Sequence, residues 1–351
     1  MLFKIDADKG SVIQGWVTPD NPSGTSKVVV HLGPERHIAI DAFVERPLLR
    51  EQGLHNTGIC GFVLNERNCP GITAAADLEI KDAASQLLIY RRRPKSPLAA
   101  QKFLRIETQL LRSQSLDNLL KGRFHMPYQS LELLSEETTT SVLTISFTDS
   151  LFVSGRIFWR LWEPLIRGQN YKTGIVLRDP FEEFAERLLI LKWASMPGAS
   201  SAQSILGLPV QASAAAIRDV NLSDLTALQA FLTRLPGELR PVLYNPLVHQ
   251  LAAPNAFDPP QAPEAAAALD SLAEINAVGL RCDARTFLDL LAAVLHLQEH
   301  LPDVSMGSGP AVRRLAEELR GMRPARALIE KDLEVYAEAA RICTPPAEVS
   351  A

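Results

Sequence analysis

The sequence contains no run of roughly 20 consecutive apolar residues, so no segment of it is expected to cross a bilayer as a helix. Cysteine is scarce: there are four, Cys60, Cys69, Cys282 and Cys343, and no CxxC pair. That spacing excludes a zinc ribbon or a dithiol redox motif and fits reduced thiols in the cytoplasm. A basic excess is missing too. Lys and Arg number 36 against 40 Asp and Glu, a formal charge of −4, so nucleic acid is not an expected partner. The opening MLFKIDADKG lacks the basic, then apolar, then small-residue order of a secretory signal, and none is expected. No repeat of fixed period is present. What is there is an ordinary globular composition, 46% hydrophobic over 351 residues, long enough for two domains.

The chain changes character near residue 95. Before it, the short runs VIQGWV, KVVVHL, HIAIDAFV and ICGFVL are separated by Pro, Gly, Asn and Asp clusters, the pattern of an all-β sandwich. After it, helical periodicities dominate. The expected plan is therefore multidomain: a β-sandwich module over residues 1–95, then a mostly helical α/β domain with a small parallel sheet over residues 96–351. KSP at 95–97 reads as a linker, and the stretches 194–203 and 252–263 as loops. Arg91, Arg92, Arg93 and Lys95 read as a solvated domain exit, with an anion site as the alternative.

In the second domain, LFVSG at 151–155 and TGIVL at 173–177 bracket a helical segment at 157–167, the layout of a βαβ unit with neighbouring parallel strands. Residues 142–147 are expected to join that sheet. Helices are expected at 213–234, 264–277, 284–300, 311–321 and 325–341, and 98–120 reads as continuous helix. At 178–183, RDPFEE makes a strand-to-helix corner. Asp179 can cap the helix, Pro180 suits its first turn, and Glu182 and Glu183 favour its dipole. Arg178 admits two roles: an anion ligand at the carboxyl end of a parallel strand, or a structural partner of a nearby carboxylate. Ser154, Gly155 and Arg156 form a second strand-to-helix turn, either an anion site with Arg178 or simply a cap and a tight turn. His296-Leu297-Gln298-Glu299-His300 matches a HxxEH zinc pattern, but Pro302 follows at once and no metal is expected. Gly307-Ser308-Gly309-Pro310 could hold an anion with Arg313 and Arg314 near, and N-capping with Pro in the first turn accounts for it more simply. His125 and Glu107 are weak candidates for a catalytic base.

Two sets of residues carry a family resemblance. Gly15-Trp16-Val17, Pro19-Asp20-Asn21-Pro22, the strand at 28–32, Arg46-Pro47 with Leu49, Gly58 and Gly61-Phe62 resemble a small β-sandwich module of bacterial cell-surface glycan proteins; Trp16 is expected to fill core, with stacking on a sugar ring, if exposed, as the alternative. Arg178-Asp179-Pro180, with VGLRCDARTFLDLLAAVL at 278–295 and LIEKDLEVYAEA at 328–339, is similar to carbohydrate sulfotransferases. The resemblance implies phosphoadenosine phosphosulfate as donor, with Arg178 on its 3′-phosphate. Two departures stand beside it. Glu186 occupies the position, eight residues past Arg178, where such domains carry a phosphate-binding serine, and no phosphosulfate loop is legible upstream. The implied function is a degenerate sulfotransferase-like protein of envelope polysaccharide metabolism. It would bind a glycan, an anion or an assembly partner. The alternatives are an active carbohydrate sulfotransferase or a glycosyltransferase using the same cleft.

Overall fold

The computed structural model describes residues 1–92, 98–196, 198, 206, 213–254 and 265–343. The linker at 95–97 and most of the two loops expected at 194–203 and 252–263 lie outside the described residues. Contacts divide the chain into two compact units: Met1–Lys102 with Leu120–Tyr128 and Leu134–Val153, and Phe103–Leu119 with Gln129–Leu133 and Ser154–Ala351. No helix among the described residues is long and apolar enough to cross a membrane.

The N-terminal region is built of strands β1 (Leu2–Asp8), β2 (Val12–Thr18), β3 (Lys27–Leu32), β4 (His37–Asp41), β5 (Val44–Glu45), β6 (Ile59–Asn65), β7 (Leu78–Asp82) and β8 (Leu88–Arg92), with one short helix, α1 (Pro47–Glu51). They form two antiparallel four-stranded sheets, ordered β1-β2-β6-β5 and β4-β3-β7-β8. The cause is alternation of period two. Phe3, Ile5, Ile13, Val17, Phe62 and Leu64 of the first sheet and Val28, Val30, Leu78, Ile80 and Ile89 of the second are buried. The same alternation corrects the expectation for Trp16. It stands between Gly15 and Val17, so it takes the opposite face of β2, beside Gly61 of β6, and is half-buried rather than core. Arg91 and Arg92 belong to β8 and are ion-paired, Arg91 to Glu79 and Arg92 to Asp8, so neither is a free anion ligand.

A five-stranded sheet follows, made of β9 (Lys102–Ile106), β10 (Met126–Tyr128), β11 (Leu151–Gly155), β12 (Lys172–Leu177) and β13 (Ala277–Leu280) in the order β10-β11-β9-β12-β13. The pairs β10/β11, β9/β12 and β12/β13 are parallel. Three helices interrupt the strands: α2 (Gln114–Lys121), α3 (Glu136–Leu143) and α4 (Trp159–Gly168). Three expectations fail here. Residues 98–120 are not one helix but strand, loop and helix, and β9 enters between β11 and β12, which are therefore not neighbours. All five β9 residues are buried although Lys102 and Arg105 are among them, so the strand has neither an apolar run nor a polar face to reveal it. The run 142–147 is not a strand; Val142 and Leu143 end α3, since a short apolar run does not distinguish the two states.

After β12 come α5 (Pro180–Ala194), α6 (Leu225–Thr233), α7 (Arg240–Leu243), α8 (Pro246–Ala252), α9 (Ala265–Glu274), α10 (Ala284–Val294), α11 (Pro310–Arg320), α12 (Arg323–Leu328) and α13 (Glu330–Cys343). Phe181, Phe184, Leu188 and Leu191 of α5 pack with Leu315 and Leu319 of α11 in one core cluster. The expected helix 284–300 stops at Val294, and His296 has a φ of 51°, so the two histidines of HLQEH do not share a helical turn. No group of three or more His, Cys, Asp or Glu able to hold a metal occurs among the described residues.

The corner at 178–183 forms as its chemistry dictates: Asp179 Oδ1 accepts from the Phe181 and Glu182 amides at 2.9 and 3.2 Å, and Pro180 opens the helix. Removing this cap by Asp179→Ala is expected to lower stability by about 1 kcal/mol in chemical denaturation, with no change in the slope of the transition.

Candidate functional site

In an open sheet, ligands bind outside the carboxyl ends of strands where the connections diverge. β9 leads to β10 on one side and β12 leads to β13 on the other, so the carboxyl ends of β9 and β12 flank that point. Glu107 stands at the end of β9 and Arg178 at the end of β12; Ser154-Gly155-Arg156 closes β11 and Arg281 follows β13. Sequence reasoning had singled out all of these except Arg281.

The loop 107–113 joins β9 to α2, which is where a strand-loop-helix anion cradle is built. Its amides do converge. They converge on the protein's own carboxylate: Glu107 Oε1 accepts from the Thr108 and Gln109 amides at 3.0 and 3.1 Å, and Oε2 from the Ser113 amide at 2.7 Å. Arg105 Nη1 donates to Glu107 Oε2 at 2.9 Å while its Nε donates to Asp117 of α2 at 2.8 Å. Burial alone would raise the Glu107 carboxyl, but the Arg105 charge and the Ser113 and Gln109 amides outweigh it and hold the group below the ordinary glutamate range. The loop carbonyls are engaged as well. Gln250 donates to that of Glu107 at 2.8 Å, Arg187 to that of Thr108 at 2.6 Å, and Arg156 to those of Gln109 and Leu110 at 3.3 and 3.0 Å.

Arg178 is equally occupied. Its side chain is 2% exposed, with Nη1 2.5 Å from Glu186 and 3.5 Å from Glu183 and Nε 3.5 Å from Glu182. Ser308, from the turn before α11, accepts from Arg178 Nη2 at 2.6 Å and donates to Glu182. Burial and the adjacent Glu183 charge raise the Glu186 carboxyl in spite of Arg178. The Gln109 carbonyl oxygen, in the amide orientation that hydrogen bonding requires, accepts from Arg281 and, at 3.2 Å, from Arg178. Arg105, Glu107, Gln109, Arg178, Arg281 and Met306 line one cavity of about 20 Å³, enough for a water but not for a nucleotide.

The other candidates fall elsewhere. Ser154 donates to Asp117 at 3.0 Å, inside the Arg105 network. Gly155 is dictated by packing, because a Cβ there would come within 2.5 Å of the Leu131 amide nitrogen. Arg156 donates to backbone carbonyls, including that of Leu206 at 3.0 Å, and does not line the cavity that Arg178 and Arg281 share. His125 precedes the amino end of β10, the opposite edge of the sheet, and its Nε2 lies 2.6 Å from the Arg91 carbonyl. Arg105, Asp117 and Arg281 were missed, and Ser308 was read only as part of a turn before a helix. Arg281 had a signal, lying in the VGLRC stretch of the resemblance.

Chemically the arrangement neutralises part of itself: Arg105 and Arg178 are met by carboxylates of the same chain, while Arg156 and Arg281 donate to carbonyl oxygens. No protein-family model matches the sequence, and no curated protein matches it. Arg178→Ala would leave Glu183 and Glu186 facing each other in a buried site. It is expected to cost about 3 to 5 kcal/mol in equilibrium unfolding, where an exposed pair would cost under about 1 kcal/mol.

Proposed function

We propose that the chain is a degenerate sulfotransferase-like protein of cell-envelope polysaccharide metabolism, one that binds a glycan or a polysaccharide-assembly partner and does not transfer sulfate. The observation that carries this reading is the Glu107 carboxylate seated on the amides of Thr108, Gln109 and Ser113. Those amides belong to the loop after β9, where a donor phosphosulfate would be cradled, and they are already saturated. Glu186 on Arg178 does the same at the position a 3′-phosphate would take. A phosphate dianion entering there would meet two carboxylates, a repulsion that a partly buried site screens poorly.

The strand order supports the relationship to such transferases, since it puts a strand-loop-helix at the sheet centre and Arg-Asp-Pro on the next strand. Phosphoadenosine phosphosulfate is accordingly a donor of the ancestral fold and not a working cofactor of this chain. The half-buried Trp16 of the N-terminal sheets offers an aromatic face to sugars. Four free thiols are in keeping with a cytoplasmic protein.

Calorimetric titration with adenosine 3′,5′-bisphosphate tests the reading. The unaltered chain is expected to bind no more tightly than about 1 mM. Glu186→Ser, which removes the repulsion and supplies a hydroxyl, is expected to bring binding into the measurable range. Micromolar binding by the unaltered chain would overturn the reading in favour of an active carbohydrate sulfotransferase, and micromolar binding of a nucleotide sugar would favour a glycosyltransferase.

A further inference from the structure

In the sheet ordered β4-β3-β7-β8, Val28 and Val30 are buried on one face, and the side chains that alternate with them stand on the other. One row across that second face reads His37, His31, Glu79 and Arg91, each directly opposite the next. Glu79 is ion-paired with Lys81 at 2.9 Å and with Arg91, on the side of His31 away from His37. Further along the same strands Lys27 pairs with Asp41 at 3.1 Å. The charges of this face answer one another, and the two histidines face each other. His31 is half-buried, with its Nε2 buried and without a hydrogen bond, while His37 is exposed on the edge strand β4.

The register fixes how closely the two rings meet. The Ala42 amide donates to the Ser26 carbonyl at 2.9 Å and the Leu32 amide to the Arg36 carbonyl at 2.8 Å. Even-numbered positions of β3 therefore lie in hydrogen-bonded pairs, and the odd-numbered ones between them do not. His31 and His37 form a pair of the second kind, in which opposed side chains stand closest, and their ring centres are 6.0 Å apart. Two imidazoles that share one ion through bonds of about 2.0 Å have ring centres no more than about 6.4 Å apart, and about 5.2 Å apart in a tetrahedral arrangement. The pair is already within that reach, and the exposed His37 can turn its ring to close the difference.

We propose that His31 and His37 form a two-histidine chelate for a divalent transition-metal ion of the zinc, nickel and copper class, which pins the edge strand β4 to β3. Imidazole nitrogens favour those ions over magnesium and calcium, whose preferred ligands are oxygens. Glu79 is held by its two cations, and the described residues contain no metal-binding group of three, so the chain supplies two ligands and water completes the coordination. Because the two donors project from adjacent strands of one sheet, the second bond forms at high effective concentration and the pair binds more tightly than either ring alone. This inference is independent of any reading of Arg178.

Titration of the full chain with Zn²⁺, followed through the ring signals of His31 and His37 in nuclear magnetic resonance, is the test. The two rings are expected to respond together, with a single midpoint below about 1 mM, and to ignore Mg²⁺ at the same concentration. His37→Asn, at an exposed position, is expected to raise the Zn²⁺ needed to shift His31 by at least about tenfold. Rings that stay unmoved by Zn²⁺, that titrate with separate midpoints or that respond equally to Mg²⁺ would overturn the proposal in the unaltered chain, and so would an unchanged His31 midpoint in His37→Asn.

Discussion

A charge buried at the carboxyl end of a central strand must find its partners within a few ångströms, and Glu107 finds them in its own loop. Everything around the candidate site depends on that choice. With the carboxylate on three loop amides, the loop closes tightly, its carbonyls turn outward, and Arg156, Arg187 and Gln250 come in to meet them. Arg105 then links β9 to α2 through Asp117, and Asp117 takes the Ser154 hydroxyl at the end of β11. The sheet's carboxyl edge is thus bound by a polar network of the chain's own groups, although Arg281 Nε is left without a hydrogen bond.

The same principle governs the far side of the site. Arg178 emerges at the end of β12 with almost no solvent contact, and α5 supplies carboxylates at 182, 183 and 186 along the face that runs past it. A helix that begins with Asp179 as cap and presents acidic residues in its first two turns suits its own dipole, and it also fills the guanidinium that an external anion would need. Structural economy and ligand binding compete here for the same hydrogen bonds. In this chain the structural partners hold them.

The sequence made some of this legible. The alternation of Ile13, Gly15 and Val17 and the RDPFEE corner announce strands and a capped helix from local chemistry alone, and they form as such. The position of Glu186 near Arg178 was implied by the sulfotransferase resemblance and not by any spacing of the residues. What stayed hidden was β9. KFLRIE carries a lysine and an arginine into the middle of a sheet and a glutamate to its end, so no pattern of period two or of continuous apolarity marks it; Arg105 is neutralised by Glu107, two residues on, and by Asp117, twelve residues on in α2. The contacts of Arg156 were hidden for a related reason. Its neighbours in space are carbonyls of a loop some 46 residues earlier, and sequence says nothing of that contact.

The central claim is that two carboxylates of the protein itself occupy the places of a donor's anionic groups. Carbon-13 titration of the glutamate side-chain carboxyls, with Glu107 and Glu186 assigned by substitution, reads this directly. The account predicts that Glu107 stays ionised below the ordinary glutamate range, that Glu186 titrates above it, and that neither signal moves when adenosine 3′,5′-bisphosphate is added. An ordinary titration of Glu107, or a displacement of either signal by the nucleotide, would contradict it.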